Sequence, residues 1–124
     1  MDLKKIDPAL ELMKDFAKIT NGSPALIDQM RKKAIFSDGI APQKYKILTA
    51  MIWAISARCE PCFKYYIFHA VDKGTSEKEL GEFLAIASTM GGCVGEMWAI
   101  KAFKAYKEIV SGQMTPAEEP SCCI

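Results

Sequence analysis

Histidine is nearly absent from this chain, and neither sign of charge is in excess. Sixteen Lys and Arg stand against fifteen Asp and Glu, a formal charge of +1. With that balance and no long basic run there is no reason to propose nucleic acid as a partner, although a local patch is not excluded. No apolar stretch reaches the ~18 residues of a membrane span. The longest run, Ile47 to Ala57, is interrupted only by Thr49 and Ser56. The first residues, MDLKKIDPALELMKDF, lack the apolar core of a signal peptide. The expectation is a cytoplasmic protein with no membrane partner. No repeat of 20–50 residues is visible, and strand signals are weak throughout. Five cysteines in a reducing compartment argue against a static disulfide framework, and an odd number leaves at least one without an intramolecular partner.

What is present is enough for one domain with a real core: 124 residues, half of them hydrophobic and a quarter charged. Nearly all of it reads as helix. Asp7-Pro8 and Ser23-Pro24 each look like an N-cap followed by proline in the first turn. They open ALELMKDFAKI, which stops near Asn21-Gly22, and ALIDQMRKKAIF, which gives way to a loop at Ser37-Asp38-Gly39. A third helix follows Pro42 and is apolar on almost every side in its second half, the mark of a central element. A fourth begins at Glu60-Pro61 and closes at Gly74. Thr75 or Ser76 caps a fifth, Ser76 forming a capping box with Glu79. Gly91-Gly92 breaks the chain before a last helix, roughly Gly95 to Val110. The fold class is all-α with about six helices. The domain is residues 1–112, and the Pro- and Glu-containing 113–124 reads as a flexible tail. Trp53 and Trp98 read as core residues.

Cys59-Glu60-Pro61-Cys62 falls where the buried helix meets the next one. The exposed N–H groups and dipole of a helix N-terminus stabilise a thiolate, lowering a thiol pKa from ~8.5 to as little as ~3.5. The spacing lets the two sulfurs form and break a disulfide, the more exposed one attacking and the other resolving. Cys62, Tyr66 and His69 follow i, i+4, i+7 spacing on one helix face. Tyr66 is placed to hydrogen-bond a sulfur or bound oxidant, and His69 to reach the site through Tyr66 or water. Each also has a plainer reading: His69 as a satisfied helix-face histidine, Tyr66 as packing, the cysteines as inert buried thiols. Zinc would need two more ligands, for which Cys93 and His69 are the only local candidates.

These residues carry a resemblance. A57-R-C-E-P-C62, Gly74 twelve residues beyond, T75-S-E-K-E-L80 and L84-A-I-A-S-T-M-G-G92 resemble the AhpD-like branch of the carboxymuconolactone decarboxylase superfamily, over roughly Pro42 to Tyr106. The resemblance implies an all-helical domain assembling into trimers or hexamers; no cofactor or metal is expected. It implies reduction of hydroperoxides or exchange with disulfides, using lipoyl or thioredoxin-like thiol donors. It makes Cys62 the peroxidatic cysteine and Cys59 its partner. Two positions depart from the pattern: Tyr66 stands where the family often has histidine, and Ile47, beside Lys46, where it has a proton-relay glutamate. Glu60, Tyr66 and His69 are the substitutes available to activate the sulfur and protonate the leaving oxygen. Thiol–disulfide exchange, which needs mainly an accessible thiolate, is the firmer expectation. The superfamily's lactone decarboxylases do not rely on such a pair.

Cys93, after Gly91-Gly92, is a third thiol near the pair or a small apolar residue, and Cys122-Cys123 a mobile electron carrier, a site for a soft metal or metalloid, or an inert tail. The competing functions are a helical oligomer binding a ligand or metal at its thiols, and a family member whose site has decayed.

Overall fold

A computed structural model of the protein describes residues 6–112; Cys122 and Cys123 lie outside the described residues. The described chain is all-helical: a 3-10 turn Pro8–Leu12, then α1 Met13–Ile19, α2 Ser23–Ala34, α3 Gln43–Ser56, α4 Glu60–Asp72 and α5 Glu77–Val110. The local devices are mostly those expected. The Asp7 carboxylate accepts from Ala9 N–H ahead of Pro8, but the first turn is 3-10 rather than α. Ser23 does not cap α2: Gly22, at φ 80°, takes that position and the Ser23 hydroxyl bonds Thr20. Ser76 and Glu79 form the reciprocal capping box.

α5 is long only along the chain. Gly92 has φ 62° and ψ −144°, outside any helical region. In a straight helix residues eight apart lie ~12 Å apart along the axis. Yet a Cβ on Gly95 would sit 2.6 Å from the Ala87 carbonyl oxygen. Glu77 and Lys107, at opposite ends of α5, form an ion pair that a straight helix would hold ~45 Å apart. The chain therefore folds back at Gly92, as Gly91-Gly92 led one to expect. By length and composition alone α5 could cross a bilayer, having an 18-residue window of mean hydropathy 1.4. Any such window includes Gly92, because the stretch beyond it carries Glu96, Lys101, Lys104, Lys107 and Glu108. A sharp reversal at that point does not make a transmembrane rod.

The core is where α3, α4 and both arms of α5 meet. Ile47, Leu48, Met51, Phe63, Ile67, Phe68, Leu80, Ala102 and Ile109 are all buried there. Alanines at 99, 102 and 105 let the second arm of α5 approach closely. Trp53, however, is 72% exposed, not a core residue. It lies on the one side of α3 that neither α4 nor α5 covers, while Met51, Ala54 and Ile55 turn inward. Trp98 is half-buried, edge-on to Phe63 at 6.5 Å between centroids. α2 reaches α4 through side chains: Phe36, just beyond it, packs against Tyr65, Tyr66 and His69.

Candidate functional site

The junction between α3 and α4 is tight. Arg58 adopts φ 58°, a left-handed conformation uncommon for a side chain of its size. It lets the chain leave α3 and enter α4 within three residues. Cys59 N–H donates to the Ala54 carbonyl at 3.0 Å, and Cys59 becomes the N-cap of α4 in extended conformation. Pro61 occupies the first turn, where its missing N–H costs nothing. Cys59 makes no side-chain cap, and both cysteines lie within the first turn of α4, at the positive end of its dipole.

Cys59 and Cys62 are joined as a disulfide, with Cα atoms 5.2 Å apart. Both are half-buried. Cys62 alone of the two borders a cavity of about 590 Å³. Ala34, Ile35, Ala41, Ala50, Trp53 and Ala54 provide its apolar wall; Tyr45, Thr49 and Tyr66 bring hydroxyls, and Arg31 and Lys46 bring positive charge. The exposed tryptophan is thus a cavity wall.

Of the residues singled out by sequence, Cys62 and Tyr66 meet in this cavity. The Tyr66 hydroxyl oxygen accepts a hydrogen bond from Arg31 Nε at 3.1 Å. The phenol's own hydrogen is left to point elsewhere, and the cavity is where an acceptor would arrive. His69 is buried behind it, with ring centroids 4.8 Å from Phe36 and 4.7 Å from Tyr65, and does not line the cavity. Glu60 is half-exposed and pairs with Lys64 at 3.1 Å. Ile47 is fully buried in the core, so the position of the family's glutamate turns away from the cavity, while the neighbouring Lys46 enters it. Cys93 is an exposed free thiol. Among the described residues no group of three His, Cys, Asp or Glu side chains converges as a metal site.

Sequence reasoning missed Arg31. It lies in the run Arg31-Lys32-Lys33 at the end of α2, which reads as a basic terminus complementing the helix dipole. No local pattern separates it from its two neighbours. Only the docking of α2 and Phe36 against α4 turns it towards Tyr66.

The described residues thus form an all-helical domain with a Cys-x-x-Cys pair at a helix N-terminus beside a largely apolar cavity. The chain matches the model of the carboxymuconolactone decarboxylase family over residues 22–105, and it belongs to that family. It is 31% identical over 94 residues to an uncharacterized protein of Cupriavidus necator, spanning 74% of this chain and 83% of that one. It is similar to the crystal structure of the apo form of a carboxymuconolactone decarboxylase family protein from Legionella pneumophila. That match has a TM-score of 0.75 at 26% identity and covers 83% of this chain and 91% of the other.

Proposed function

We propose that this protein is an AhpD-like thiol–disulfide oxidoreductase that cycles Cys59 and Cys62 and reduces small hydroperoxides. One observation carries the reading: the pair is linked at the N-terminus of α4 with Cys62 alone bordering the cavity. A substrate there meets Cys62 first. The Cys62 thiolate attacks the hydroperoxide, the O–O bond breaks, and the sulfur becomes a sulfenic acid. The departing alkoxide leaves as alcohol, taking the Tyr66 phenolic proton, which the solvent restores. Cys59 then attacks the Cys62 sulfur, water leaves, and the disulfide forms. A thiol or lipoyl-type dithiol returns two electrons and two protons by exchange through a mixed disulfide. In sum, a hydroperoxide and a dithiol become an alcohol, water and a disulfide. Such donors fit a cytoplasmic setting.

Tyr66 takes the place of the family's histidine in this scheme, and His69 supports it from behind through the Phe36 and Tyr65 rings. The reading extends to a homo-oligomer of the trimer or hexamer type, supported by large apolar side chains left exposed on α1, α2 and α5.

The test is hydroperoxide consumption with dithiothreitol or dihydrolipoamide, comparing wild type with Cys62→Ser. Consumption should fall to the uncatalysed rate in the variant. Activity that survives the substitution refutes the site.

A further inference from the structure

The cavity beside Cys62 has a chemical bias that thiol chemistry does not require. Its wall is apolar, but Arg31 and Lys46 both contribute to it and no acidic residue lines it. The two cations come from different elements, α2 and the first turn of α3. Arg31 is held by its bond to Tyr66 Oη, so it is an oriented group rather than a loose surface charge. Lys46 makes no ion pair among the described residues, whereas the neighbouring Lys44 is paired with Glu79. The volume, about 590 Å³, lies within the ~300–1,000 Å³ of small-molecule sites. Trp53, Ala50 and Ala54 of α3 supply apolar wall in the same cavity as the two cations and Cys62.

We propose that the cavity takes amphipathic carboxylates: an acyl chain lies along the Trp53 wall, its carboxylate is held by Arg31 and Lys46, and the reacting O–O or S–S bond is presented to Cys62. A guanidinium matches a carboxylate geometrically and an ammonium adds point charge. The assignment names the substrate class of the thiol site and so rests on the reading above. In the oxidative half-reaction a hydroperoxy acid becomes a hydroxy acid and water while the dithiol becomes a disulfide. In the reductive half a carboxylated dithiol becomes its disulfide, returning two electrons and two protons.

Binding separates this assignment from the redox reading. Octanoate and octanamide, matched in chain and differing in charge, are titrated calorimetrically into the oxidised full-length protein. Octanoate should bind at least ~10-fold more tightly, and the ratio should shrink as salt is raised. Arg31→Gln and Lys46→Gln should each cut the ratio several-fold, and the double variant should abolish it. Lys46→Gln leaves the Arg31–Tyr66 bond in place, so it serves even if the Arg31 variant folds poorly. Equal binding of the two ligands, no binding of either, or a ratio that survives both substitutions overturns the assignment. A kinetic arm compares dihydrolipoate with dihydrolipoamide as reductants of the Cys59–Cys62 disulfide. Faster reduction by dihydrolipoate in wild type, lost in Lys46→Gln, supports the assignment, and equal rates overturn its substrate role. Failure of both reductants with octanoate still preferred overturns the redox reading and leaves a carboxylate-binding cavity.

Discussion

Tyr66 stands one helical turn beyond Cys62, where its oxygen accepts from Arg31 Nε. A phenol whose oxygen already accepts a strong donor is oriented, and its own O–H can serve the oxygen that departs when the O–O bond breaks. Removing that hydroxyl should separate two reactions that share Cys62. In Tyr66→Phe, hydroperoxide consumption should slow by roughly 100-fold, the scale of a lost general acid. Reduction of the disulfide by dithiothreitol, whose leaving group is a thiolate, should slow far less. Stopped-flow measurement of both half-reactions checks this, and equal slowing of the two would assign Tyr66 to packing. The sequence already marked Tyr66 and its helix face. It did not mark Arg31, because three consecutive basic residues at a helix end look alike until one is turned inward by tertiary contact.

At the scale of elements, the turn within α5 decides the shape of the domain. Gly92 supplies the backbone conformation and Gly95 the clearance. A methyl at residue 95 meets the Ala87 carbonyl at 2.6 Å, and a backbone oxygen cannot swing aside as a side chain would. Gly95→Ala should therefore cost ~1–3 kcal/mol, the range for forcing atoms into a packed interior, read as a lowered midpoint of chemical denaturation. The start of the same helix has a pH signature. The Glu79 carboxyl sits below its ordinary 4.5, chiefly because it accepts from Lys44 and secondarily from the Ser76 backbone. The folded state thus holds the ionised form more strongly than the unfolded chain does. That stability is fully present above pH ~4.5 and is lost as pH falls through the lower folded value. Thermal melts from pH 6 to 3 should show a shallower acid decline in Glu79→Gln than in wild type. The capping box was legible in the sequence because it is local, spanning Ser76 to Glu79; the Lys44 partner, on α3, was not.

For the whole molecule, the informative feature is apolar surface without cover. Phe16, Ile19, Leu26 and Met30 on α1 and α2, and Met90, Met97 and Ile100 on α5, are all substantially exposed. A single chain rarely leaves so many large apolar groups in water, and the proposed assembly with copies of itself would remove them. Sedimentation equilibrium at micromolar concentration should give a trimer or hexamer. Ile19→Lys with Met30→Lys should shift the population towards lighter species, and a wild-type monomer would refute the assembly. Trp53 belongs to this scale too. An apolar run such as Ile47 to Ala57 signals a central helix, but periodicity cannot say which side is covered. With only α4 and α5 packed on α3, the third side stays open and becomes the cavity wall.

The sequence by itself determined the helices and most of their ends, the pairing-competent cysteines at the start of α4, and the reversal at Gly91-Gly92. Those features are local, set by hydrophobic period, capping residues and glycine within a few positions. Tertiary structure alone decided that Cys62 faces a cavity, that Arg31 holds Tyr66, that Ile47 turns into the core while Lys46 turns out, and that His69 stands behind the site. Each depends on how helices distant along the chain dock, and docking is governed by the summed burial of many side chains, which no short stretch of sequence encodes.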